Sequence, residues 1–238
     1  MKQEQIVIVG AGAAGLTAAA YCAEENHNVH LLEKNDRIGG LLNSFHHNGF
    51  TFDTGPRAFV NSGILKPILN DLDISWEFYE NIIAVGIEDQ LFRVQSMDDL
   101  KEYQRVLIEL YPENRDDIEV IIRKIKQLSE YTRVLYEFDN PNFGSFQGDI
   151  PFIIKKLTPW FFKFLYSLYQ FNRYSMPMEE YLHTLTDNQS LIDIILQHFF
   201  RKTPTYFALG YFHVYMDYFY PKGGTGVLGR ILEEKVLK

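Results

Sequence analysis

The chain has 238 residues, of which 46% are hydrophobic and 23% charged, so its composition is that of a folded globular protein and not of a disordered one. The net charge of −8 excludes a basic footprint for nucleic acid over the whole chain. The single cysteine excludes an internal disulfide framework and a cysteine-rich metal site. Aromatic residues make up 15% of the chain, and most of them lie in its second half.

The sequence predicts no targeting or membrane-spanning segment. Residues 1–5 run straight into an apolar stretch, without the basic region, apolar core and cleavage site of a signal peptide. No uncharged apolar stretch reaches the roughly 18 residues that a spanning helix needs. Together with the single cysteine, these features predict a cytoplasmic protein and leave open a peripheral contact with a membrane surface.

A strand–turn–helix–strand unit begins the chain. Residues 6–9 form a β-branched run typical of a strand, and a glycine-rich turn follows it. Helix-forming residues then extend over 16–25, and residues 29–33 have the pattern of a second strand. This order predicts one βαβ unit of about 30 residues.

The turn of this unit carries the spacing G-x-G-x-x-G. Gly10 permits the tight turn, Gly12 lets the backbone approach a pyrophosphate, and Gly15 allows the helix to pack against the strand. Glu33 closes the second strand, where its carboxylate can accept hydrogen bonds from ribose hydroxyls and would repel a 2′-phosphate. The pattern predicts a dinucleotide site for either NAD or FAD. The alternative is a glycine-rich turn that only reverses the chain and binds no ligand.

Further along the chain, the pattern changes from strands to helices. A short helix is predicted over 64–72, and residues 82–87 and 91–95 resemble the two strands of a hairpin. Ser96 to Asp99 has the form of a capping box that opens a helix. Apolar residues at helical spacing then predict two helices, with these positions buried: Leu100, Tyr103, Leu107 and Leu110 in the first, and Ile118, Ile121, Ile122, Ile125, Leu128 and Leu135 in the second.

Three segments resemble a known family of flavoproteins. Residues 33–40 (EKNDRIGG) are similar to the segment after the second strand in FAD-dependent amine oxidases and phytoene-desaturase-type enzymes. Residues 49–56 (GFTFDTGP) and 220–226 (YPKGGTG) resemble the "F-x-x-D-x-G-P" and "P-x-G-G-x" segments of the desaturase branch. The chain therefore resembles the phytoene desaturase and retinol saturase-like oxidoreductases.

This resemblance implies an α/β fold, with an FAD/NAD(P)-binding Rossmann-type βαβ unit and a mixed, largely helical subdomain on the substrate side. The implied divisions are residues 1–75 for the first part of the FAD-binding domain, 76–220 for the helical subdomain, and 221–238 for a segment that returns towards the FAD domain. Relatives are about twice this length, and only two parallel strands of the sheet are predicted, so the chain resembles a truncated N-terminal half.

The resemblance also implies which residues contact FAD. The pyrophosphate would be held by Gly10, Gly12, Ala13, Ala14 and Gly15, and the adenosine ribose by Glu33, with Lys34 beside it. The segment that would run along the cofactor is Gly39, Gly40 and Leu41, and the residues near the flavin end would be Gly55, Pro56 and Arg57. Many relatives have an arginine after the glycine pair, where this chain has Leu41. A phosphate contact from that arginine is therefore missing here or is supplied elsewhere.

The implied function is that of an FAD-dependent oxidoreductase. It would move a hydride between a hydrophobic, polyene- or isoprenoid-like substrate and the flavin, making or saturating a C=C bond. Two alternatives stay open: a flavin amine oxidase, and a non-catalytic flavin-binding half that needs a partner chain. The isolated chain is expected to be inactive and to require a C-terminal half or a homodimer.

Two aromatic segments have two interpretations each. Residues 152–171 hold eight aromatic residues and three lysines but no acid, which fits either a surface that lies on a bilayer or a buried helical subdomain. Residues 206–220 hold eight aromatic residues that either line an apolar substrate tunnel or form core. The histidines show no metal-ligand spacing, His213 is the only candidate acid or base among them, and no catalytic residue is assigned.

Overall fold

The computed structural model describes residues 5–60, 63–136, 150–200 and 202–237, without the side chain of Phe152. The chain divides into two compact units, Met1–Asn81 with Phe219–Lys238, and Ile82–Tyr218. The sequence placed these divisions at residues 75 and 220. The first division lies later in the structure because the strand Phe78–Glu80 pairs with the strand Tyr218–Pro221 and so stays with the first unit.

The first unit contains the glycine turn. Its elements in chain order are β1 (Gln5–Val9), α1 (Ala13–Glu24), β2 (Asn28–Leu32), β3 (Ser44–His47), β4 (Phe50–Asp53), β5 (Phe59–Val60), α2 (Leu65–Asp71), β6 (Phe78–Glu80), β9 (Tyr218–Pro221) and α10 (Val227–Val236). β3 and β4 form an antiparallel hairpin, and β9 lies between β5 and β6 in a three-stranded sheet.

β1 and β2 are parallel and paired in register from Gln5 opposite Asn28 to Val9 opposite Leu32, so the predicted βαβ unit is confirmed. α1 packs against α10, and both contribute to a core that contains Leu16, Leu228 and Leu232. Side chains alternate between the two faces of a strand, and those of one face of β1 and β2 are exposed. Val7 is 57% exposed and Val9 82% exposed. Within the described residues, this sheet is therefore covered on one face only.

The second unit is mostly helical. Its elements are β7 (Ile83–Ile87), β8 (Gln90–Val94), α3 (Leu100–Leu110), α4 (Arg115–Leu135), α5 (Ile150–Phe152), α6 (Thr158–Arg173), α7 (Met178–His183), α8 (Gln189–Leu196) and α9 (Thr205–Tyr215). Short 3₁₀ turns precede α3 and α4, and a π-helical turn at Ile153–Leu157 precedes α6. The predicted hairpin is confirmed, because β7 and β8 pair antiparallel.

Local sequence signals explain how the helices of the second unit begin and pack. The predicted capping box is present, because Asp99 accepts hydrogen bonds from the backbone N–H and hydroxyl of Ser96. The apolar stripe of α4 is buried, except that Leu135 at its end is exposed. α4 packs closely on α9, where a Cβ added at Gly210 would lie 2.2 Å from the hydroxyl of Thr132. Such contact requires glycine at position 210.

The two aromatic segments have different environments. Most of α9 is buried on all sides, through Ala208, Leu209, Phe212 and Val214, so the core interpretation of 206–220 holds for these residues. The core interpretation of 152–171 is correct for Phe171 and wrong for most of the remainder, because α6 buries only one narrow face. Among the described residues, no helix combines the length and apolarity that crossing a bilayer requires.

Candidate functional site

The glycine turn between β1 and α1 forms an open anion cradle. Gly10 has a φ of +99°, which favours glycine, and its N–H donates to the carbonyl of Leu32 at 2.6 Å. The first helical hydrogen bond runs from Leu16 N to Gly12 O, and no side chain caps α1 within the described structure. The earlier N–H groups of the first turn therefore lie free at the positive end of the helix dipole.

Gly12 and Gly15 differ in what surrounds them. A Cβ added at Gly12 would meet no protein atom within 4 Å, so the space beside this residue is open. A Cβ added at Gly15 would lie 1.9 Å from the carbonyl oxygen of Gly10 and 3.5 Å from a methyl carbon of Ile8. Gly15 is thus required by packing inside the protein, whereas the room at Gly12 is available to a ligand.

Glu33 is held against the turn by hydrogen bonds. Its Oε2 accepts from Ala11 N at 2.8 Å, and its Oε1 accepts from the backbone N and the side-chain Nδ2 of Asn35 at 3.0 and 2.7 Å. The backbone hydrogen bonds from Asn35 and then Ala11 are the main reasons that the pKa of Glu33 is lowered. The carboxylate is therefore charged at neutral pH and fixed beside the cradle. The sequence did not predict this bond to Ala11.

A second pair of glycines supports the turn from the other side. Gly39 N donates to Ala11 O at 2.7 Å, and Gly39 and Gly40 both have positive φ. A Cβ added at Gly40 would lie 3.2 Å from Gly12 Cα, so this pair passes directly over the cradle. Both backbone polar groups of Ala11 are thus satisfied by protein, and Ala11 itself is buried. The N–H groups that remain available to a ligand accordingly start after Ala11.

Two clefts adjoin at the end of β1, one of about 420 Å³ and one of about 460 Å³. Both are lined by Val9 and Gly10. The remaining lining of the first is Gly12, Ala13, Ala14, Gly15, Gly39, Leu41 and Leu42, and that of the second is Leu32, Glu33, Lys34 and Asn35. The structure therefore brings together the residues proposed for the pyrophosphate and those proposed for the ribose.

The remaining proposed residues do not line either cleft. Gly55, Pro56 and Arg57 are not part of the lining of either cleft in the described structure. A Cβ added at Gly55 would lie 2.3 Å from Leu41 O, so Gly55 is needed where two loops pass each other. Pro56 and Arg57 are exposed. Their contact with a flavin stays a prediction.

Asp53 organises a hydrogen-bonded cluster to which the sequence gave no role. Its Oδ1 accepts from Ser44 Oγ at 2.7 Å and from the N–H and hydroxyl of Thr225 at 3.0 and 2.9 Å. Its Oδ2 accepts from the hydroxyl of Tyr220 at 2.7 Å, and Gly226 N donates to Ser44 Oγ. The cluster joins the end of the β3–β4 hairpin to the segment before α10. The sequence held one signal for this cluster. Asp53 lies in the family-like segment 49–56, and Tyr220 and Thr225 lie in the family-like segment 220–226.

The cluster determines the charge of Asp53. Partial burial alone raises the pKa of this carboxyl, but the hydrogen bonds from Tyr220, Ser44 and Thr225 outweigh burial, and the net pKa is below the ordinary value. The same bond to Asp53, followed by burial, raises the pKa of Tyr220 to about 12. Asp53 is therefore an ionised structural acceptor and not a candidate general acid.

Few side chains in the described parts of the chain are candidates for metal binding or for acid–base catalysis. No cluster of three or more histidine, cysteine or acidic side chains there could hold a metal ion. His213 is half-buried, with its Nε2 3.4 Å from Asp217. Burial lowers the pKa of His213 despite the opposing effect of Asp217, which favours a neutral ring at pH 7. No contact in the structure assigns it a catalytic role.

The parallel strand pair, glycine turn, uncapped helix N-terminus and terminal glutamate define a Rossmann-type nucleotide-binding domain. Residues 8–72 match the family model described as an NAD(P)-binding Rossmann-like domain, so the predicted fold is confirmed. The resemblance to desaturases is confirmed as homology to a 4,4′-diapophytoene desaturase (4,4′-diaponeurosporene-forming) of Staphylococcus aureus. The two are 34% identical over 113 residues, which is 45% of this chain and 22% of the relative.

Solved structures share the fold over nearly the whole chain. An oxidoreductase from Methanosarcina mazei superposes with a TM-score of 0.55 at 15% identity, and a putrescine oxidase bound to putrescine does so with a TM-score of 0.55 at 14% identity. Each match covers 98% of this chain and 49% of the solved chain. The chain thus spans about half the length of these structures.

Proposed function

We propose that this chain is the nucleotide-binding part of an FAD-dependent oxidoreductase acting on a hydrophobic, polyene- or isoprenoid-like substrate. The observation that carries the proposal is the open space at Gly12, bordered by the free N–H groups of α1 and by the fixed carboxylate of Glu33. The homology to a diapophytoene desaturase supports the substrate class.

The residues of the cradle fit a dinucleotide. The N–H groups of Ala13, Ala14 and Gly15 would bind the pyrophosphate, which Gly12 admits because it lacks a side chain. Glu33 lines the second cleft, where its carboxylate is the acceptor that we propose for a ribose hydroxyl. Bound FAD would supply the hydride acceptor, and the protein would orient the substrate and exclude water.

FAD is preferred to the nicotinamide cofactors on two grounds. The charge of Glu33 disfavours the 2′-phosphate of NADP. Gly39 and Leu41 line the first cleft, and the flavoprotein resemblance places further cofactor contacts at these residues. The family description names NAD(P), so NAD is the competing ligand that the experiment must include.

Titration of the full chain with FAD, NAD and ADP tests the cofactor assignment. We expect FAD to bind and the Gly12→Val variant to lose at least about a hundredfold in affinity, close to 2.7 kcal/mol, because the added side chain enters open space without touching protein. Gly86→Val is the matched control, since Gly86 lies on β7 and its added Cβ would also meet no close contact. Tight NAD binding without FAD binding would contradict the proposal.

Amine oxidation is the second candidate, supported by the shared fold with putrescine oxidase alone.

A third candidate is a non-catalytic half that acts with another segment, in cis or as a separate or second chain. The exposed face of β1 and β2 favours a need for further cover, because parallel sheets are ordinarily buried on both faces. We expect no efficient turnover of a polyene or an amine by the isolated monomer. Robust flavin-dependent turnover by that monomer would contradict this expectation.

A further inference from the structure

A third cleft of the first unit, of about 420 Å³, shares no lining residue with the two clefts at the end of β1. Three parts of the chain line it: residues 36–38, the β3–β4 hairpin with the residue before it, and the segment 223–233 that contains most of α10. We name it the hairpin cleft. Its volume is within the range of roughly 300–1,000 Å³ that is typical of small-molecule sites.

The β3–β4 hairpin turns polar side chains towards this cleft. Ser44, His46 and Thr51 belong to its lining, whereas Phe45 and Phe52 stack on each other and are exposed. Side chains alternate between the two faces of a strand, and a hairpin that only covers a core ordinarily turns its apolar face inward. The reversed arrangement here indicates that the hairpin cleft receives polar groups.

The polar wall of the cleft is held in place by hydrogen bonds. Asn43 Nδ2 donates to the carbonyl of Ile38 at 2.7 Å, which fixes the segment that precedes the hairpin. The hydroxyl of Thr51 lies 2.9 Å from Nδ1 of His46. Nε2 of His46 is therefore the ring nitrogen without a partner among the described residues, and it is available to a ligand in the cleft.

Two arginines reach the hairpin cleft from distant parts of the chain. Arg37 lies two residues before Gly39, and Arg230 follows Gly229 on α10. A Cβ added at Gly229 would lie 3.2 Å from Gly39 Cα, so α10 and the segment after β2 are in direct contact at this point. This contact brings the two arginines to the same cleft, and both are exposed.

Neither arginine is neutralised by an ion pair with another residue that the structure describes. Arg105 and Arg133 each pair with a glutamate three residues before them on their own helices. α10 offers Arg230 the same kind of partner in Glu233, yet this pair does not form, and both residues line the cleft. The guanidinium groups of Arg37 and Arg230 are thus available to an anion.

From this arrangement we propose that the hairpin cleft binds a small phosphate monoester that carries hydroxyl groups. The planar guanidinium group matches the geometry of phosphate oxygens, so Arg37 and Arg230 would bind the phosphate, with His46 as a further donor. Asp36 and Glu233 also line the cleft, and their carboxylates would accept hydrogen bonds from the hydroxyl groups.

The two acids decide between this ligand and a simple anion. The formal charges of Arg37 and Arg230 cancel those of Asp36 and Glu233, so a bare phosphate ion would be attracted by one pair and repelled by the other. A phosphate ester places its hydroxyl groups, which carry no charge, beside the acids. The proposal does not rest on the assignment of FAD, because the hairpin cleft and the clefts at the end of β1 have no lining residue in common.

Calorimetric titration of the full chain with glycerol 3-phosphate tests the proposal. At constant ionic strength, we expect this probe to bind at least about tenfold more tightly than inorganic phosphate. Arg37→Gln and Arg230→Gln should each weaken its binding about tenfold, because each removes a charge-assisted hydrogen bond to the phosphate. The double variant should lose about a hundredfold or more. Circular dichroism should show that the variants remain folded.

Arg93→Gln is the matched control, because Arg93 is an exposed arginine of β8 that does not line the hairpin cleft. It should bind glycerol 3-phosphate like the unaltered chain, and so should Gly12→Val, whose substitution lies in the cradle. Absence of binding would overturn the proposal, as would equal affinity for inorganic phosphate. Equal weakening by Arg93→Gln would show only a general effect of charge, and loss of binding in Gly12→Val would place the phosphate in the cradle; either result would also overturn it.

Discussion

The two units differ in how fully their own residues cover their apolar side chains. In the second unit, α4 buries its apolar stripe among the β7–β8 hairpin, α3 and α9, and most of that core is fully inaccessible. In the first unit, α1 and α10 cover one face of the β1–β2 pair, and Val7 and Val9 stay exposed on the other. The glycine cradle lies at the end of this half-covered sheet.

This difference indicates that the units depend on different forces. The second unit has a continuous apolar core, which is the main stabilising contribution in a small domain. The first has a smaller core and relies more on hydrogen bonds that join distant segments, above all those to Asp53. Each unit contains one of the two tryptophans, Trp76 and Trp160, so variants that retain a single tryptophan can report on each unit separately.

The largest expected effect is on the core of the second unit. Ile125→Ala should lower its free energy of unfolding by about 2–5 kcal/mol, because Ile125 is fully buried and the substitution leaves a cavity. Urea unfolding followed by Trp160 fluorescence measures this, with exposed Leu91→Ala as the control. A loss below about 1 kcal/mol would mean that this core is less well packed than the structure indicates.

A smaller but clear effect is expected at Asp53. Asp53→Asn should destabilise the first unit by about 1–3 kcal/mol, because an amide has one acceptor oxygen where the carboxylate uses two. Trp76 fluorescence reports the change, since Trp76 donates to the carbonyl of Lys222 next to the cluster. Asp98→Asn is the control, as Asp98 is exposed and its ion pair with Lys101 lies at the surface. Equal effects of the two substitutions would contradict a structural role for Asp53.

The units should also lose stability in different pH ranges. Asp53 has a folded pKa below its ordinary 3.8, so its contribution is complete above that value and is lost as pH falls through the folded pKa. Burial lowers the pKa of His213 below 6.5, so the second unit weakens as pH falls from about 6.5, because the unfolded chain binds the proton first. Unfolding of single-tryptophan variants between pH 3 and pH 8 should show this order. The reverse order would contradict it.

The smallest effect is expected on the exposed face of the sheet. Val7→Thr keeps a β-branched side chain and should change the free energy of unfolding by less than about 0.5 kcal/mol. A loss of several kcal/mol that depends on protein concentration would show that this face is covered in solution by a second copy. The contrast between the units would then hold only for the monomer.

Features encoded locally could be predicted from the sequence. The glycine turn, the β7–β8 hairpin, the Ser96 capping box and the apolar stripe of α4 each lie within a short segment, and each is present in the structure. The bonds from Tyr220 and Thr225 to Asp53 join residues 167 and 172 positions apart, and no local pattern reveals such pairs.

The environment of α6 could not be predicted for a different reason. Its aromatic residues occur on both faces, so periodicity does not distinguish the buried face from the outer one. Only the packing of Ser167 and Gln170 towards the interior identifies which aromatic residues are left outside.

The backbone of Ala11 connects the two sides of the proposed nucleotide site. Its N–H is bound by Glu33 and its carbonyl by Gly39, and Gly40 lies against Gly12. In the proposed complex, adenosine and pyrophosphate recognition would share one short piece of main chain, and their binding free energies should be coupled instead of additive. A double-mutant cycle between Glu33→Gln and Gly12→Ala would show this as a combined loss of affinity different from the sum of the separate losses. In the proposed complex the cradle would then act as one cooperative element, in which an adenosine moiety held at Glu33 would also order the turn that receives the phosphates.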